Sequence, residues 1–313
     1  MKLQETSPFW ADFGALGVLK KPEDFIVEEV LEDKFFRKYS RDSGKVLPIE
    51  KKFVLAVLRK RFMTTEESME KIAWRLALPR SHIGYAGLKD KFAITYQYVT
   101  FPAEAEKNMG KVGDERMKLE KVGYTDSAIN IGELKGNKFT ITLHGGKIPR
   151  AIPKEFPNYF GPQRLGRDGK NARIGEAIIR RDYASAVKEI NAIYNASFSD
   201  IIQVPKPKLK FFVHAYQAWL FNALLAEGKG AMMPGHARIP VSLRSELKPE
   251  DFRFTDLRMS FAGGRRAPLV ETDVHCKKDE GRVVLKFFLP KGSYATAVLA
   301  EIAKSPERYT QIH

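Results

Sequence analysis

The sequence has almost no cysteine and no long apolar run. Its 313 residues include a single cysteine, Cys276, so no disulfide can form within one chain, which is typical of proteins from reducing compartments. No uninterrupted apolar stretch approaches the ~18 residues that cross a bilayer. Residues 1–6 lack the charged start and apolar core of a signal peptide. We therefore expect a cytoplasmic protein without a membrane partner.

Motifs that bind common cofactors are missing as well. The sequence contains no GxxxxGK[ST] phosphate loop, no GxGxxG fingerprint and no GxSxG nucleophile elbow. No two of its six histidines are spaced four residues apart, and the neighbours His275 and Cys276 have no second ligand pair. The sequence therefore predicts no cofactor and no metal, so side chains would carry any chemistry.

Acidic residues are too few to balance the basic ones. Lys and Arg number 53 against 38 Asp and Glu, which gives a formal net charge of +15. Neutralising backbone phosphates with such cations releases counterions and steers association. The excess favours a nucleic acid as partner, although a basic protein without such a partner would have the same composition.

The character of the sequence changes twice along the chain. The first half alternates strand-like runs with one amphipathic helix, and prolines at 149, 153 and 157 end it. A helical stretch follows, and strand character returns at residues 283–289 before a short last helix. We predict an α+β protein. An inserted, helix-rich α+β domain at residues 157–270 would divide an outer domain with a mixed or antiparallel sheet, residues 1–156 and 271–313.

Several element boundaries can be predicted from local signals. Strands are predicted at residues 25–27, 53–58, 93–100 and 139–143. Thr64 and Glu67 form a capping box for a helix that Pro79 stops. Its predicted apolar stripe is Met69, Ile72, Ala73, Leu76 and Ala77. Three later helices are predicted with Asn171 as the first cap, Asp182 as the second cap, and residues 215–227 as the third helix.

One aspartate lies between two lysines in a segment rich in glycine. Lys89, Asp90 and Lys91 precede a predicted strand. Nearby positive charge would keep the carboxylate ionised and its pKa low. The same tripeptide is common in solvated turns, so these residues alone leave both interpretations open.

Five segments, spread over residues 20–296, together resemble the TruD family of pseudouridine synthases. They occur in the family's order along the chain, which makes the resemblance more specific than any one segment would. Three positions depart from the pattern: Leu165 stands where phenylalanine is usual, Tyr294 stands where some members have phenylalanine, and Ala300 precedes Glu301 where members often have arginine. The segments are Lys20–Glu29 (KKPEDFIVEE), Gly87–Gln97 (GLKDKFAITYQ), Gly132–Phe139 (GELKGNKF), Pro157–Gly166 (PNYFGPQRLG) and Phe288–Thr296 (FLPKGSYAT).

The resemblance implies an RNA uridine-to-pseudouridine isomerase with Asp90 as the catalytic carboxylate. The implied substrate is tRNA, at uridine 13, and the implied fold is a split pseudouridine-synthase-type catalytic domain with an inserted RNA-binding domain. Asp90 could attack C1′ as a nucleophile or take the C2′ proton as a general base, and the sequence leaves both routes open. The implied basic partner of Asp90 is Lys20, or Lys21 if the alignment slips by one. Lys89 is a second candidate.

The resemblance also implies which residues hold the substrate. Phe25 and Tyr294 would stack on the flipped uracil, Asn137 would bond its edge, and Lys89 and Phe139 would line the same site. Other roles stay open, since strand aromatics such as Phe25 and Phe139 are commonly core residues and Asn137 follows a glycine as turn residues do.

The inserted domain would bind the RNA backbone through basic residues near a loop and helix start. These residues are Arg164, Arg167, Lys170 and Arg173. Two other functions remain open: an RNA-binding protein without catalysis, and a metal-dependent hydrolytic or phosphoryl-transfer enzyme with Asp90 as ligand. We expect a monomer.

Overall fold

The protein contains strands and helices throughout the part of the chain that the structure describes. The structure is a computed structural model and describes residues 13–36 and 52–303; residues 1–6, used for the signal-peptide prediction, lie outside that part. The strands are β1 Phe25–Leu31, β2 Phe53–Lys60, β3 Gly84–Tyr85, β4 Ile94–Pro102, β5 Gly113–Asp114, β6 Met117–Thr125, β7 Leu134–His144, β8 Glu155–Pro157, β9 Met232–Met233, β10 Arg253–Phe254, β11 Met259–Ser260, β12 Gly264–Arg265, β13 Leu269–Glu271, β14 His275–Asp279 and β15 Arg282–Pro290. The α-helices are α1 Thr65–Leu76, α2 Pro162–Leu165, α3 Lys170–Ile179, α4 Tyr183–Tyr194, α5 Lys206–Ala226 and α6 Ala295–Ile302.

The chain divides into two compact units. The first unit comprises residues 1–152 and 272–292, and the second comprises residues 153–271 and 293–313. The mixture of sheet and helices confirms the predicted α+β class. The second unit includes α6, whereas we assigned residues 271–313 to the outer domain. The domain boundaries at 156 and 271 stay predictions.

The first unit is built on one large sheet. Its strands lie in the order β14-β15-β7-β1-β4-β2-β6-β5, and β3 pairs with the far end of β4. Strands β1 and β4 are parallel, while the other pairs are antiparallel. The predicted mixed or antiparallel sheet is therefore confirmed, and all four strands predicted in the first half belong to it.

Helix α1 covers the part of this sheet formed by β2, β4 and β6. Its capping box is confirmed, because Thr64 Oγ1 accepts from Glu67 N at 3.1 Å and Glu67 Oε2 accepts from Thr64 N at 2.8 Å. The predicted stripe is buried except for Ala77, which was wrongly included. Ala77 is the exposed C-cap with φ of 55°, so it turns away from the face that packs. That face contacts Ala56, Leu58, Val99, Phe101, Met117 and Leu119.

One row of side chains crosses five adjacent strands on this face. Lys60 on β2 lies opposite Thr95 on β4, and Thr95 pairs with Val27 on β1. Phe139 on β7 follows, opposite Val27, and then Phe287 on β15. Residues directly opposite each other in paired strands share a face of the sheet. The row therefore has a lysine and a threonine at one end and aromatic rings at the other.

The second unit is mainly helical. Its core lies among α3, α4 and α5, and it includes Tyr216 and Leu220. Asp182 caps α4, since its Oδ1 accepts from Ser185 N at 3.2 Å. Asn171 was wrong as a cap: Gly169 is the N-cap of α3, and Asn171 lies inside the helix. Helix α5 begins nine residues before the predicted start, in a lysine-rich turn that shows little apolar periodicity.

Candidate active site

The Asp90 loop, residues 87–90, is fixed by buried polar side chains. Thr65, the first residue of α1, accepts a hydrogen bond from Lys89 N at 2.8 Å. Gln97 on β4 donates from Nε2 to Gly87 O at 3.2 Å. Thr65 Oγ1 in turn donates to Gln97 Oε1 at 3.3 Å. Thr65 and Gln97 are completely buried, so these bonds are protected from water and hold the loop in one conformation.

A buried lysine lies beneath the same loop. The Lys60 side chain is 0% exposed, and its Nζ donates to Asp90 O at 2.7 Å, Met63 O at 2.9 Å and Lys89 O at 3.3 Å. Burial lowers the pKa of Lys60 to about 8; the charge of Asp90 raises it and that of Lys89 lowers it further. The ammonium therefore lies close enough to Asp90 for each charge to influence the other.

The carboxyl group of Asp90 differs from the prediction in its pKa. Asp90 is half-buried as a residue, yet burial is the strongest influence on its carboxyl group and raises the pKa above its ordinary value. The charges of Lys60 and Lys89 lower that pKa without cancelling the effect of burial. The expectation of a low pKa was wrong, because desolvation outweighs the neighbouring cations. A carboxyl group with a raised pKa is suited to proton transfer nearer neutral pH.

Lys89 is engaged by a carboxylate. Its ammonium forms a buried ion pair with Glu29 on β1 and donates to Glu29 Oε2. The other oxygen of Glu29, Oε1, accepts from Tyr98 N at 3.0 Å. The lysine that we predicted to contact substrate thus anchors the Asp90 loop to β1 and β4 in this structure.

Neither Lys20 nor Lys21 forms an ion pair with Asp90 in residues 13–36 and 52–303. Both are exposed, and both donate their backbone N–H groups to Asp24 Oδ2 at 3.0 Å. The charges that shift the pKa of Asp90 come from Lys60 and Lys89. The predicted pairing of Lys20 with Asp90 therefore has no contact in the described part of the chain to support it.

The predicted stacking residues of the first unit lie in one aromatic cluster. Phe25 packs edge-on against Phe139 with ring centroids 5.9 Å apart, and Phe139 stacks on Phe287 at 5.4 Å. Phe25 is 2% exposed and Phe139 is 7% exposed. Both rings are therefore packed in the core as the structure stands, and a base that stacked on them would have to displace neighbouring groups.

Four buried side-chain polar atoms lack hydrogen-bond partners in the described part of the chain, and two of them lie on the face of the sheet that carries the aromatic cluster. These two are Asn137 Oδ1 on β7 and Thr95 Oγ1 on β4. Buried polar atoms are almost always paired, so an orphan points to a ligand or water that completes it. Asn137 lies opposite Glu29 and two residues before Phe139, which places its amide on the face with the aromatic cluster. Gly136 beside it is required, because a Cβ there would lie 2.0 Å from Leu289 O.

Tyr294 belongs to the second unit, at the N-cap of α6. Its ring lies 5.8 Å from that of Phe160, and the guanidinium of Arg266 lies 3.9 Å from the Phe160 ring and 5.7 Å from the Tyr294 ring. Arg266 also donates to Asn158 Oδ1 at 2.6 Å. The guanidinium of Arg266 thus makes cation–π contacts with the rings of Phe160 and Tyr294, which help to fix the position of the tyrosine. Its role towards uracil stays a prediction.

The basic residues predicted to bind RNA follow one another through α2 and the start of α3. The guanidinium of Arg164 lies 5.4 Å from the Phe211 ring. Lys170 is exposed, and Arg173 is half-buried and donates to Asp168 O at 3.2 Å. Arg167 lies in a short 3₁₀ turn, and its side chain is outside the described part. Their contact with RNA stays a prediction.

Four residues that support the Asp90 loop were not predicted. Glu29 and Gln97 each end a segment that resembles the TruD family, so those segments contained a usable signal. Thr65 follows the capping residue Thr64 and was overlooked as part of the cap. Lys60 is the last residue of β2, at the end of an apolar run, where a lysine usually extends its ammonium group into solvent. The sequence therefore offers no signal for its burial.

Two kinds of feature are absent from residues 13–36 and 52–303. No group of three or more His, Cys, Asp or Glu side chains is arranged there to hold a metal ion. No helix in that part is long and apolar enough to cross a membrane.

Known proteins resemble the chain in both fold and sequence. A crystal structure from Methanosarcina mazei, whose title carries the name TruD, superimposes with a TM-score of 0.64 at 21% identity and covers 96% of this chain and 97% of that one. A protein of Sulfurimonas denitrificans named tRNA pseudouridine synthase D is 29% identical, over 90% of this chain and 94% of its own length. A Pyrococcus abyssi protein, named a probable tRNA pseudouridine synthase D, is 26% identical over 91% of this chain and 95% of its own length.

These likenesses define an enzyme class, the isomerases that make pseudouridine. The family model described as tRNA pseudouridine synthase D (TruD) matches residues 9–203 and 240–302, and the chain belongs to this family. The resemblance found in the five segments is therefore confirmed, and an RNA-binding protein without catalysis is disfavoured.

Proposed function

We propose that the chain converts uridine to pseudouridine in tRNA, at uridine 13, with Asp90 as the catalytic carboxylate. The observation that carries the proposal is the position of Asp90: its loop is fixed by buried side chains, and Lys60 and Lys89 act on its charge. We further propose that it works in the cytoplasm as a monomer, without a metal or cofactor.

The reaction is a rearrangement within one nucleotide. The bond from uracil N1 to C1′ breaks, the base turns, and a bond from C5 to C1′ forms. C5 loses a hydrogen and N1 gains one, so the atoms balance without an oxidant or reductant. Asp90 either attacks C1′ or removes the C2′ proton, and in both routes it must first be ionised.

Other groups of the first unit supply what a detached base needs. The target nucleotide must leave its stack to be reached. Asn137 Oδ1 and Thr95 Oγ1, which lack partners in the described part of the chain, offer hydrogen bonds to such a base. Phe25 and Phe139 provide aromatic surface beside Asn137 once their packing opens. We assign Arg164 and its basic neighbours to the tRNA phosphates.

The test is tritium release from tRNA that contains 5-tritiated uridine, because only bond formation at C5 expels that label. We expect release by the wild type, in the presence or absence of a chelator. Asp90→Asn should reduce it about a hundred- to ten-thousandfold, the usual value of a positioned acid–base group. Asp279→Asn, which changes a half-exposed carboxylate on β14, should release the label normally.

Two results would contradict the proposal. Full release by Asp90→Asn would remove Asp90 from the mechanism. Unchanged release from tRNA in which cytidine replaces uridine 13 would show that another position is modified.

A further inference from the structure

The contacts of Lys60 match those of a protonated lysine at a functional loop. An ammonium group has three N–H donors and no acceptor. The three carbonyl oxygens around Lys60 Nζ, at 2.7–3.3 Å, accept all three. Two of these carbonyls belong to Lys89 and Asp90, so the ammonium contacts the backbone that carries the proposed catalytic carboxylate.

We infer that Lys60 is a positioning residue for Asp90: it fixes the loop backbone and supplies the positive charge that favours an ionised carboxylate. This inference rests on the function proposed for Asp90.

A purely structural role explains the position of Lys60 less well. Burying an ammonium group is costly, and apolar residues of similar size often stabilise a core better. Lys60 also forms no ion pair in the part of the chain that the structure describes, whereas the charge of Lys89 is matched by Glu29. The positive charge of Lys60 is therefore available to act on Asp90. Among the charged groups that shift the pKa of Lys60, Asp90 has the largest influence.

The two groups should produce a characteristic pH profile. Lys60 faces Asp90 and Lys89 on the loop and Glu66 and Glu67 on α1. The rate should rise as Asp90 ionises and fall above a pH of about 8, where Lys60 loses its proton. Loss of the Lys60 charge should raise the pKa of Asp90, so the acid limb should move to higher pH. A role limited to packing would move neither limb.

The experiment compares Lys60→Met with the wild type in single-turnover tritium release across pH 5–10. We expect the single-turnover rate constant to fall about a hundredfold, because a small misplacement of a reacting group costs about that much. The acid limb should move up by about one to three pH units, as expected when a close opposite charge is removed. The alkaline limb near pH 8 should disappear, and the Kd for tRNA should stay within about twofold.

Two further variants keep the test decisive. Lys60→Gln retains donors without the charge, so it replaces Lys60→Met if that variant does not fold, as judged by circular dichroism, and the same shift of the limbs is expected. Lys118→Met removes an exposed charge that pairs with Glu120 on β6. It should leave both limbs in place.

The outcomes separate this inference from the proposed function. If Asp90→Asn abolishes release while both Lys60 variants keep the wild-type rate and pH profile, the inference is wrong and the proposed function stands. If Asp90→Asn releases tritium normally, the proposed function fails first. A lower rate with unshifted limbs would also overturn the inference, because it would reduce Lys60 to a packing residue.

Discussion

Two neighbouring regions of the first unit differ in how their buried side chains are held. We call the first the polar support, formed by Glu29, Lys60, Thr65, Lys89 and Gln97. Its side chains are buried, and each makes at least one hydrogen bond. The second is the aromatic cluster, formed by three rings that contact one another without hydrogen bonds between them. The first region fixes a loop, while the second offers apolar surface.

The difference shows where a substrate can find unused bonding capacity. The polar support has little hydrogen-bonding capacity left, because its ammonium, carboxylate, hydroxyl and amide groups already have hydrogen-bond partners. Thr95 Oγ1 and Asn137 Oδ1, two of the four buried atoms without partners in the described residues, lie along the border between the regions: Thr95 sits between Lys60 and Val27 in the row that crosses the sheet, and Asn137 lies opposite Glu29. Polar groups that are already fixed in a site shielded from water are what electrostatic preorganisation requires.

Breaking the ion pair of the polar support should give the largest effect on stability. Glu29→Gln leaves the ammonium of Lys89 buried without a counter-charge. We expect the free energy of unfolding to fall by about 3–5 kcal/mol, the usual cost of removing one partner of a buried pair. Urea denaturation followed by circular dichroism measures it.

The matched control for this prediction removes both charges. Glu29→Gln combined with Lys89→Met should recover most of the lost stability, since no unpaired charge stays buried. Equal losses in the single and double variants would show that the Glu29 side chain matters for another reason, such as its bond from Tyr98 N.

Removing an orphan amide should affect activity without affecting stability. Asn137→Ala deletes an oxygen that has no partner in the described structure, so little folding energy is lost. If that oxygen bonds the substrate, kcat/KM should fall about ten- to a hundredfold, which corresponds to roughly 1–3 kcal/mol. Tritium release and thermal unfolding of the same samples provide both measurements.

The matched control is Asn191 in the second unit, whose amide has hydrogen-bond partners and lies outside the proposed active site. Its side chain bonds Phe198 O at 2.8 Å and Phe198 N at 3.0 Å, so Asn191→Ala should lower the Tm and spare the chemical step. The prediction for Asn137 is contradicted if both variants lose stability and activity in the same proportion.

The smallest effect is expected within the aromatic cluster. Phe139→Leu removes the ring contacts with Phe25 and Phe287, which contribute about 1 kcal/mol each beyond burial. Phe101→Leu, beneath α1, should cost a similar amount of stability. KM should rise only for Phe139→Leu if this ring meets the substrate, and a rise in both variants would assign the effect to the sheet as a whole.

Much of the fold was predictable because local signals agree with the tertiary structure. The capping box at Thr64 and the alternation in β7 are set by neighbouring residues. The start of α5 was missed because lysines at its first turn hide its periodicity. Asn171 was misread because a polar residue before an apolar run resembles a cap, although here it lies within the helix.

The candidate site was predictable only in part. Asp90 and Asn137 lie in segments that the resemblance identifies, and the structure gives each an unusual environment. The burial of Lys60 was not accessible, since it depends on contacts with residues 63, 89 and 90 that form only after the sheet and α1 assemble. For the same reason, the balance between desolvation and charge at Asp90 could not be read from its two neighbouring lysines.

The pairing of β15 with β7 has a consequence for the order of synthesis. Residues 282–290 reach the sheet from near the end of the chain, yet they pair along β7 on the side away from β1 and place Phe287 on Phe139. A ribosome that has made the first 270 residues has therefore produced Asp90 and Asn137 but left β7 as an open edge. This part of the sheet therefore becomes complete only after residues 282–290 have emerged, well after Asp90 and Asn137 have been made.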